Sequence, residues 1–249
     1  LPGVTFPAGL TIVEDTEAAI SGADVVLFAA PAQKFRSAFE KAIPFLSDDT
    51  VIVNVAKGIE QGTLMRMSEI AYTLRPDAKY VCLSGPSHAE EVAVLLPTTV
   101  AVSSKEPKLA EYIQEIFITD RFRVYTNNDL CGTELGGALK NIIALGAGIS
   151  DGIGFGDNAK AALMTRGITE IARLGIKMGA SAETFAGLTG IGDLIVTCTS
   201  EHSRNRRCGI MIGEGVEPNE AISSIGMVVE GIDTARAAYE LSKMHQIEM

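Results

Sequence analysis

The 249 residues include no tryptophan, three histidines and four cysteines, and aromatic residues reach only 6%. Cys82, Cys131, Cys198 and Cys208 form no C-x-x-C pair, and histidine is scarce. That argues against a zinc site or a disulfide framework, so no metal is expected and the thiols should be free in a reducing cytoplasm. No run of about 18 apolar residues occurs, so no membrane span is expected. Positive charge is short as well, with 21 Lys and Arg against 31 Asp and Glu and a net charge of -10. A nucleic-acid partner would want clustered Lys and Arg, which disfavours that class. A small anionic ligand stays open, because a basic pocket can sit inside an acidic protein. Leu1 to Leu10 carry two prolines and no basic stretch ahead of an apolar one, unlike a secretory signal.

What is present is a large apolar fraction, 47%, on a chain long enough for one large or two modest domains. The first half alternates short apolar runs with helical stretches. Strands are expected at 25–30, 51–55, 80–83, 98–102 and 121–125. Helices are expected at 32–43, 63–74, 88–95 and 107–117. This alternation predicts a mostly parallel sheet covered on both faces, with ligands at the carboxyl ends of its strands. From Asp129 onward no strand pattern appears, and helices are expected at 134–148, 159–178, 207–213 and 230–247. The composition shift at Thr126–Asn128 sets a boundary between residues 1–128 and 129–249. The fold class is therefore α/β, with a partial Rossmann-like dinucleotide-binding domain followed by an all-α substrate domain.

Several segments could carry chemistry. At about 100° per residue, Leu135, Ala138, Leu139, Ile142 and Leu145 share one side of a helix. Glu134, Gly137, Lys140, Asn141, Ala144 and Gly148 share another, small and polar. Glycine in a helix interior costs roughly 1 kcal/mol relative to alanine. Gly136, Gly137, Gly146 and Gly148 therefore need a reason, such as close approach of a backbone or a ligand. Lys140 is either a solvated lysine beside a tight helix crossing or a site residue. Gly190-Ile191-Gly192-Asp193 reads as a helix N-cap or as a carboxylate facing a cation. Ser203-Arg204-Asn205-Arg206-Arg207 opens a helix, with Ser203 as its cap. It is either a basic surface patch or a phosphate seat made of N–H groups, helix dipole and guanidinium. Lys57-Gly58 and Ser84-Gly85-Pro86-Ser87-His88-Ala89 each follow a strand. Lys57 could be a surface turn lysine, and His88 a satisfied histidine at a helix start.

Taken in order, six segments resemble the NAD(P)-dependent sn-glycerol-3-phosphate dehydrogenase family across essentially the whole chain. They are Asn54-Val-Ala-Lys57-Gly58, Ser84-Gly-Pro-Ser-His-Ala89, Glu134-Leu-Gly-Gly-Ala-Leu-Lys140-Asn141, Ser150-Asp-Gly-Ile-Gly-Phe-Gly156, Gly190-Ile-Gly-Asp193-Leu and Ser203-Arg204-Asn205. The resemblance implies a reversible hydride transfer between a nicotinamide, NAD or NADP, and a three-carbon phosphate, supplying glycerol phosphate for phospholipids in the cytoplasm. It implies Lys140 as acid/base, with Lys57 and Asp193 completing the catalytic set. It implies substrate contacts at Lys57, Gly85, Ser87, Lys140, Asn141, Asp193, Thr197, Ser203, Arg204 and Asn205. Cofactor contacts are implied at Pro31, Lys57, Ala89, Arg204, Val228 and Glu230, and a homodimer as the assembly. The family's glycine-rich G-x-G-x-x-G turn and its last helices are not in these residues. The chain is accordingly expected to be a fragment, one that binds dinucleotide poorly and exposes apolar faces that threaten its stability. A related hydroxy-acid or sugar-acid dehydrogenase and an inactive dinucleotide-binding module are the alternatives.

Overall fold

Short runs of valine, isoleucine and leucine, closed off by turn residues, become the strands of one sheet. The structure, a computed structural model, describes residues 3–249, so the reading of Leu1 and Pro2 lies outside it. In chain order the first half runs α1 (Thr16–Ile20), β1 (Val25–Phe28), α2 (Phe35–Ala42), β2 (Val51–Asn54), α3 (Met67–Leu74) and β3 (Lys79–Ser84). It continues with α4 (Ala89–Ala93), β4 (Thr98–Ser104), α5 (Pro107–Phe117) and β5 (Phe122–Asn127). The strands lie side by side in that same order. β1, β2 and β3 are parallel, β4 is antiparallel to β3, and β5 is parallel to β4. Phe28 pairs with Asn54 and Asn54 with Cys82, so the first three strands end together along one edge of the sheet.

Every residue of β2 is buried because helices cover both sheet faces. Phe28, Phe35, Phe39, Ile52 and Tyr80 fill one side under α2 and α3. Val53, Val81, Val100, Val102 and Ile113 fill the other under α5. All five expected strands are present. α3 starts at Met67 rather than Thr63, because Thr63 turns onto the Glu60 carboxylate and Arg66 with Glu69 forms the capping box. α4 is shorter than expected, ending at Ala93, with Leu95 in the left-handed region at φ 60°.

The second half consists of helices: α6 (Leu130–Ile153), α7 (Gly156–Lys177), α8 (Ala182–Phe185), α9 (Asp193–Thr199), α10 (Arg204–Gly213), α11 (Pro218–Ile225) and α12 (Glu230–His245). A π-helical turn over Leu188–Gly192 leads into α9. α6 begins where Asp129 accepts the Gly132 N–H, and it stops at Gly154, φ 87°. It is longer than its apolar stripe foretold, and α7, α9, α10 and α12 pack around it. The short helices α1, α8, α9 and α11 are too brief to show a period in sequence. No helix among the described residues is long and apolar enough to cross a membrane.

Candidate active site

The site lies where the ends of β2 and β3 meet α6, α9 and α10. After β2 the buried Asn54 carboxamide closes on Ala56, donating to its carbonyl and accepting from its N–H, both at 3.1 Å. This turn presents Lys57. The Lys57 ammonium donates to the Gly85 carbonyl at 2.8 Å and to Asp193 Oδ2 at 2.7 Å. Gly85 sits at φ 141°, where a Cβ would press on the Val100 backbone, and the Ser87 hydroxyl donates to its carbonyl at 3.1 Å.

Lys140 reaches the same carboxylate from α6. Its ammonium donates to Asp193 Oδ1 and, at 2.7 Å, to the Thr197 hydroxyl, which in turn donates to the Asp193 carbonyl at 2.6 Å. One buried carboxylate, 1% exposed, thus holds two lysines, one per oxygen. Burial pushes Lys140 down from 10.5 to about 8; Asp193 opposes that fall and the Lys57 charge adds to it. Burial alone would raise Asp193, yet Lys140 and Lys57 hold it below the usual carboxylate range.

The helix glycines have their reason. A Cβ on Gly136 would run into the Thr189 carbonyl, one on Gly148 into the Arg206 carbonyl, and one on Gly137 into the Ser84 hydroxyl beside the Lys57 stem. These contacts let α6 touch the π-turn, α10 and the β3 end at backbone distance. Gly146 is the exception, meeting only the Leu163 side chain at ordinary contact. Glu134 also departs from the expected stripe: it turns away from the cleft onto Arg66, Ser68 and Tyr80.

At the start of α10, Ser203 caps the helix by accepting the Arg206 N–H at 3.2 Å. The basic cluster divides. Arg206 pairs with Asp151 at 2.8 Å, Arg207 is exposed, and Arg204 has no ion-pair partner among the described residues. Asn205 donates to Asn141 at 3.0 Å and accepts the Gly231 N–H at 2.8 Å, tying α6, α10 and α12 together. Glu230, at the head of α12, accepts the Ala32 N–H at 3.1 Å. Its other oxygen and the Thr234 hydroxyl are buried beside Gly58 without a protein partner. Pro31, Ala89 and Val228 are exposed.

Two expectations change. Asp193 is not an N-cap: Gly192 holds that place, Asp193 is the first residue of α9, and its carboxylate goes to the lysines. His88 does stand at the start of α4, but it makes no capping bond and its buried Nε2 lacks a partner. Burial, then the nearby Lys140 charge, holds its pKa below the usual value.

Two family models match, described as NAD-dependent glycerol-3-phosphate dehydrogenase N-terminus over residues 1–110 and C-terminus over 129–249. The chain belongs to the NAD-dependent glycerol-3-phosphate dehydrogenase family. A glycerol-3-phosphate dehydrogenase [NAD(P)+] of Clostridium perfringens is 54% identical over 246 residues, 99% of this chain and 74% of that protein. The Bacillus subtilis one is 53% identical over 252 residues, 100% of this chain and 73% of that protein. The Coxiella burnetii glycerol-3-phosphate dehydrogenase structure superposes with a TM-score of 0.95 at 39% identity, over 100% of this chain and 76% of that one. The chain is thus an NAD(P)-dependent oxidoreductase of the glycerol-3-phosphate dehydrogenase family with a Rossmann-like first half.

The residues present fit the cofactor this family carries. The lone Glu230 oxygen and the Thr234 hydroxyl offer unspent hydrogen-bonding capacity beside the Lys57-Gly58 turn. Sequence reasoning gave no part to Asn54, although the Asn-Val-Ala-Lys-Gly segment contained it. An asparagine that ends a strand just before a turn was the available signal.

Proposed function

We propose that this chain catalyses reversible conversion of dihydroxyacetone phosphate and sn-glycerol 3-phosphate, with Lys140 as acid/base. The observation that carries this is the single buried carboxylate of Asp193 gripping Lys140 and Lys57 at the carboxyl ends of the strands. When bound, the nicotinamide supplies or accepts the hydride. Lys140, protonated, polarises the ketone oxygen and gives up its proton as the alcohol forms; neutral, it takes that proton back. A base poised near 8 works in both directions around neutral pH. Asp193 and Thr197 fix the direction of the ammonium. Lys57, with Gly85 and Ser87, holds the substrate's near end.

The capped start of α10, with the uncommitted Arg204, seats the phosphate beside Ser203, Asn205 and Asn141. Anchoring one end fixes the other for chemistry. Pro31, Ala89, Val228 and Glu230, with Lys57 and Arg204, face the cofactor. Residues 1–128 form the dinucleotide-binding domain and residues 129–249 the substrate domain, each lending residues to the other's ligand: Lys57, Gly85 and Ser87 to the substrate, Arg204, Val228 and Glu230 to the cofactor. The product would feed phospholipid synthesis in the cytoplasm. The test follows reduced nicotinamide absorbance with dihydroxyacetone phosphate in the full-length protein and in its Lys140→Ala variant. Phosphate-dependent turnover that collapses in the variant supports the assignment. Turnover that survives the substitution removes Lys140 from it.

A further inference from the structure

Two of the chain's three histidines meet beside the site. The His88 and His202 rings lie 6.0 Å apart, centre to centre, tilted by 58°. His88 directly follows Ser87, whose hydroxyl bonds the Gly85 carbonyl that also holds Lys57. His202 directly precedes Ser203, the cap of α10. Both backbones are pinned. The His88 carbonyl accepts the Glu91 and Val92 N–H groups at 3.1 and 3.0 Å, and the His202 N–H donates to the Ser200 hydroxyl at 3.0 Å. No residue of α4 is buried, yet His88 ahead of it turns Nε2 inward, where no group of the described residues meets it. A buried nitrogen left without a partner is costly, so it calls for a group that the folded chain does not supply.

We propose that His88 is a further substrate-contact residue, donating its Nε2–H to the substrate phosphate seated at Ser203 and Arg204, with the His202 ring backing it. This rests on the assignment of the site to a three-carbon phosphate. The ring's surroundings suit the part. Burial, then the charge of Lys140 on α6, holds its pKa below the usual value, against Asp193 on α9 and Glu90 on α4. The imidazole is therefore neutral at neutral pH, with an N–H to give and no charge to add to the two lysines. His88 stands between the lysines and the start of α10, along the length that a three-carbon phosphate spans. Ser203, Arg204 and the helix N–H groups approach the phosphate from the α10 side, and His88 closes it from the α4 side.

Two substitutions in the full-length enzyme test this: His88→Leu removes the N–H, and His88→Gln keeps one. In His88→Leu, KM for dihydroxyacetone phosphate should rise about tenfold, while kcat and KM for reduced nicotinamide stay within about twofold. His88→Gln should recover most of the loss. A merely structural role would not separate one substrate from the other. A second readout needs no turnover. In proton–nitrogen NMR spectra of the imidazoles, the His88 signal, identified by its absence from His88→Gln, should shift on adding inorganic phosphate. It should stay put on adding dihydroxyacetone, which carries no phosphate, and this comparison decides the matter if His88→Leu fails to fold. An unchanged KM with an unmoved signal, in an enzyme that Lys140→Ala inactivates, overturns the contact and leaves the site assignment standing. A KM rise confined to reduced nicotinamide assigns the nitrogen to the cofactor's phosphates, and a signal that answers to dihydroxyacetone assigns it to a hydroxyl; either overturns the proposal. Should Lys140→Ala stay active, the site assignment fails, and the phosphate-dependent shift alone decides whether His88 meets a phosphate.

Discussion

Asp193 is where most of the site's electrostatics meet. One buried carboxylate is shared by two ammoniums, one per oxygen: without Lys57 its Oδ2 would be left without a donor, whereas Oδ1 would keep the Thr197 hydroxyl at 3.3 Å. The sharing also sets the Lys140 proton affinity, and two substitutions should move it in opposite senses. Lys57→Met removes a charge that pushes Lys140 down, so the pH midpoint for glycerol 3-phosphate oxidation should rise above the wild type's. Asp193→Asn removes the charge that pulls Lys140 up, so the midpoint should fall, with kcat reduced about a hundredfold as the lysine loses its direction. Full pH–rate profiles of both variants check this; shifts of the same sign would contradict the assignment. Burial pushes the Cys198 thiol, next to Thr197, up to about 12, which disfavours its thiolate.

The element that matters most is α6. It carries Lys140 and Asn141 and reaches its neighbours at backbone distance through glycine. Gly148→Ala would place a methyl against the Arg206 carbonyl and push back the start of α10, where the phosphate is proposed to sit. We expect a loss of about 1–3 kcal/mol in urea unfolding, overpacking outweighing the gain in helix propensity. KM for dihydroxyacetone phosphate should also rise. Gly146→Ala meets only ordinary contact with Leu163, so the same substitution two residues earlier should be neutral or stabilising, by up to about 1 kcal/mol. At this scale much was legible. The strands showed as β-branched runs closed by turns, and the small stripe of α6 announced close packing. The π-turn before α9 was not legible, because Gly190-Ile191-Gly192 looks like any helix start. Only the Thr189 carbonyl against Gly136, and the Phe185 backbone against Gly190, explain why the chain winds wider there.

At the scale of the whole molecule, the site draws on positions from Lys57 to Glu230, so binding and folding are coupled. Substrate at a hundred times its Kd should stabilise the native state by about 2.7 kcal/mol. Arg204→Ala should abolish most of the corresponding rise in Tm while leaving the ligand-free Tm unchanged, since Arg204 has no ion pair to lose among the described residues. A differential scanning measurement with and without dihydroxyacetone phosphate reads both. By itself the sequence determined what depends on near neighbours: the strand and helix periods, the Ser203 cap, the glycine stripe and the order of six motifs that marks the family. Those signals span a few residues each, and local sterics and hydrogen bonding decide them. Only the tertiary structure decided that Asp193 serves two lysines rather than a helix end, that Glu134 leaves the stripe for Tyr80, and that Asn205 bridges to Gly231. Each of those choices depends on partners far away in the chain, and on which polar groups burial leaves without water.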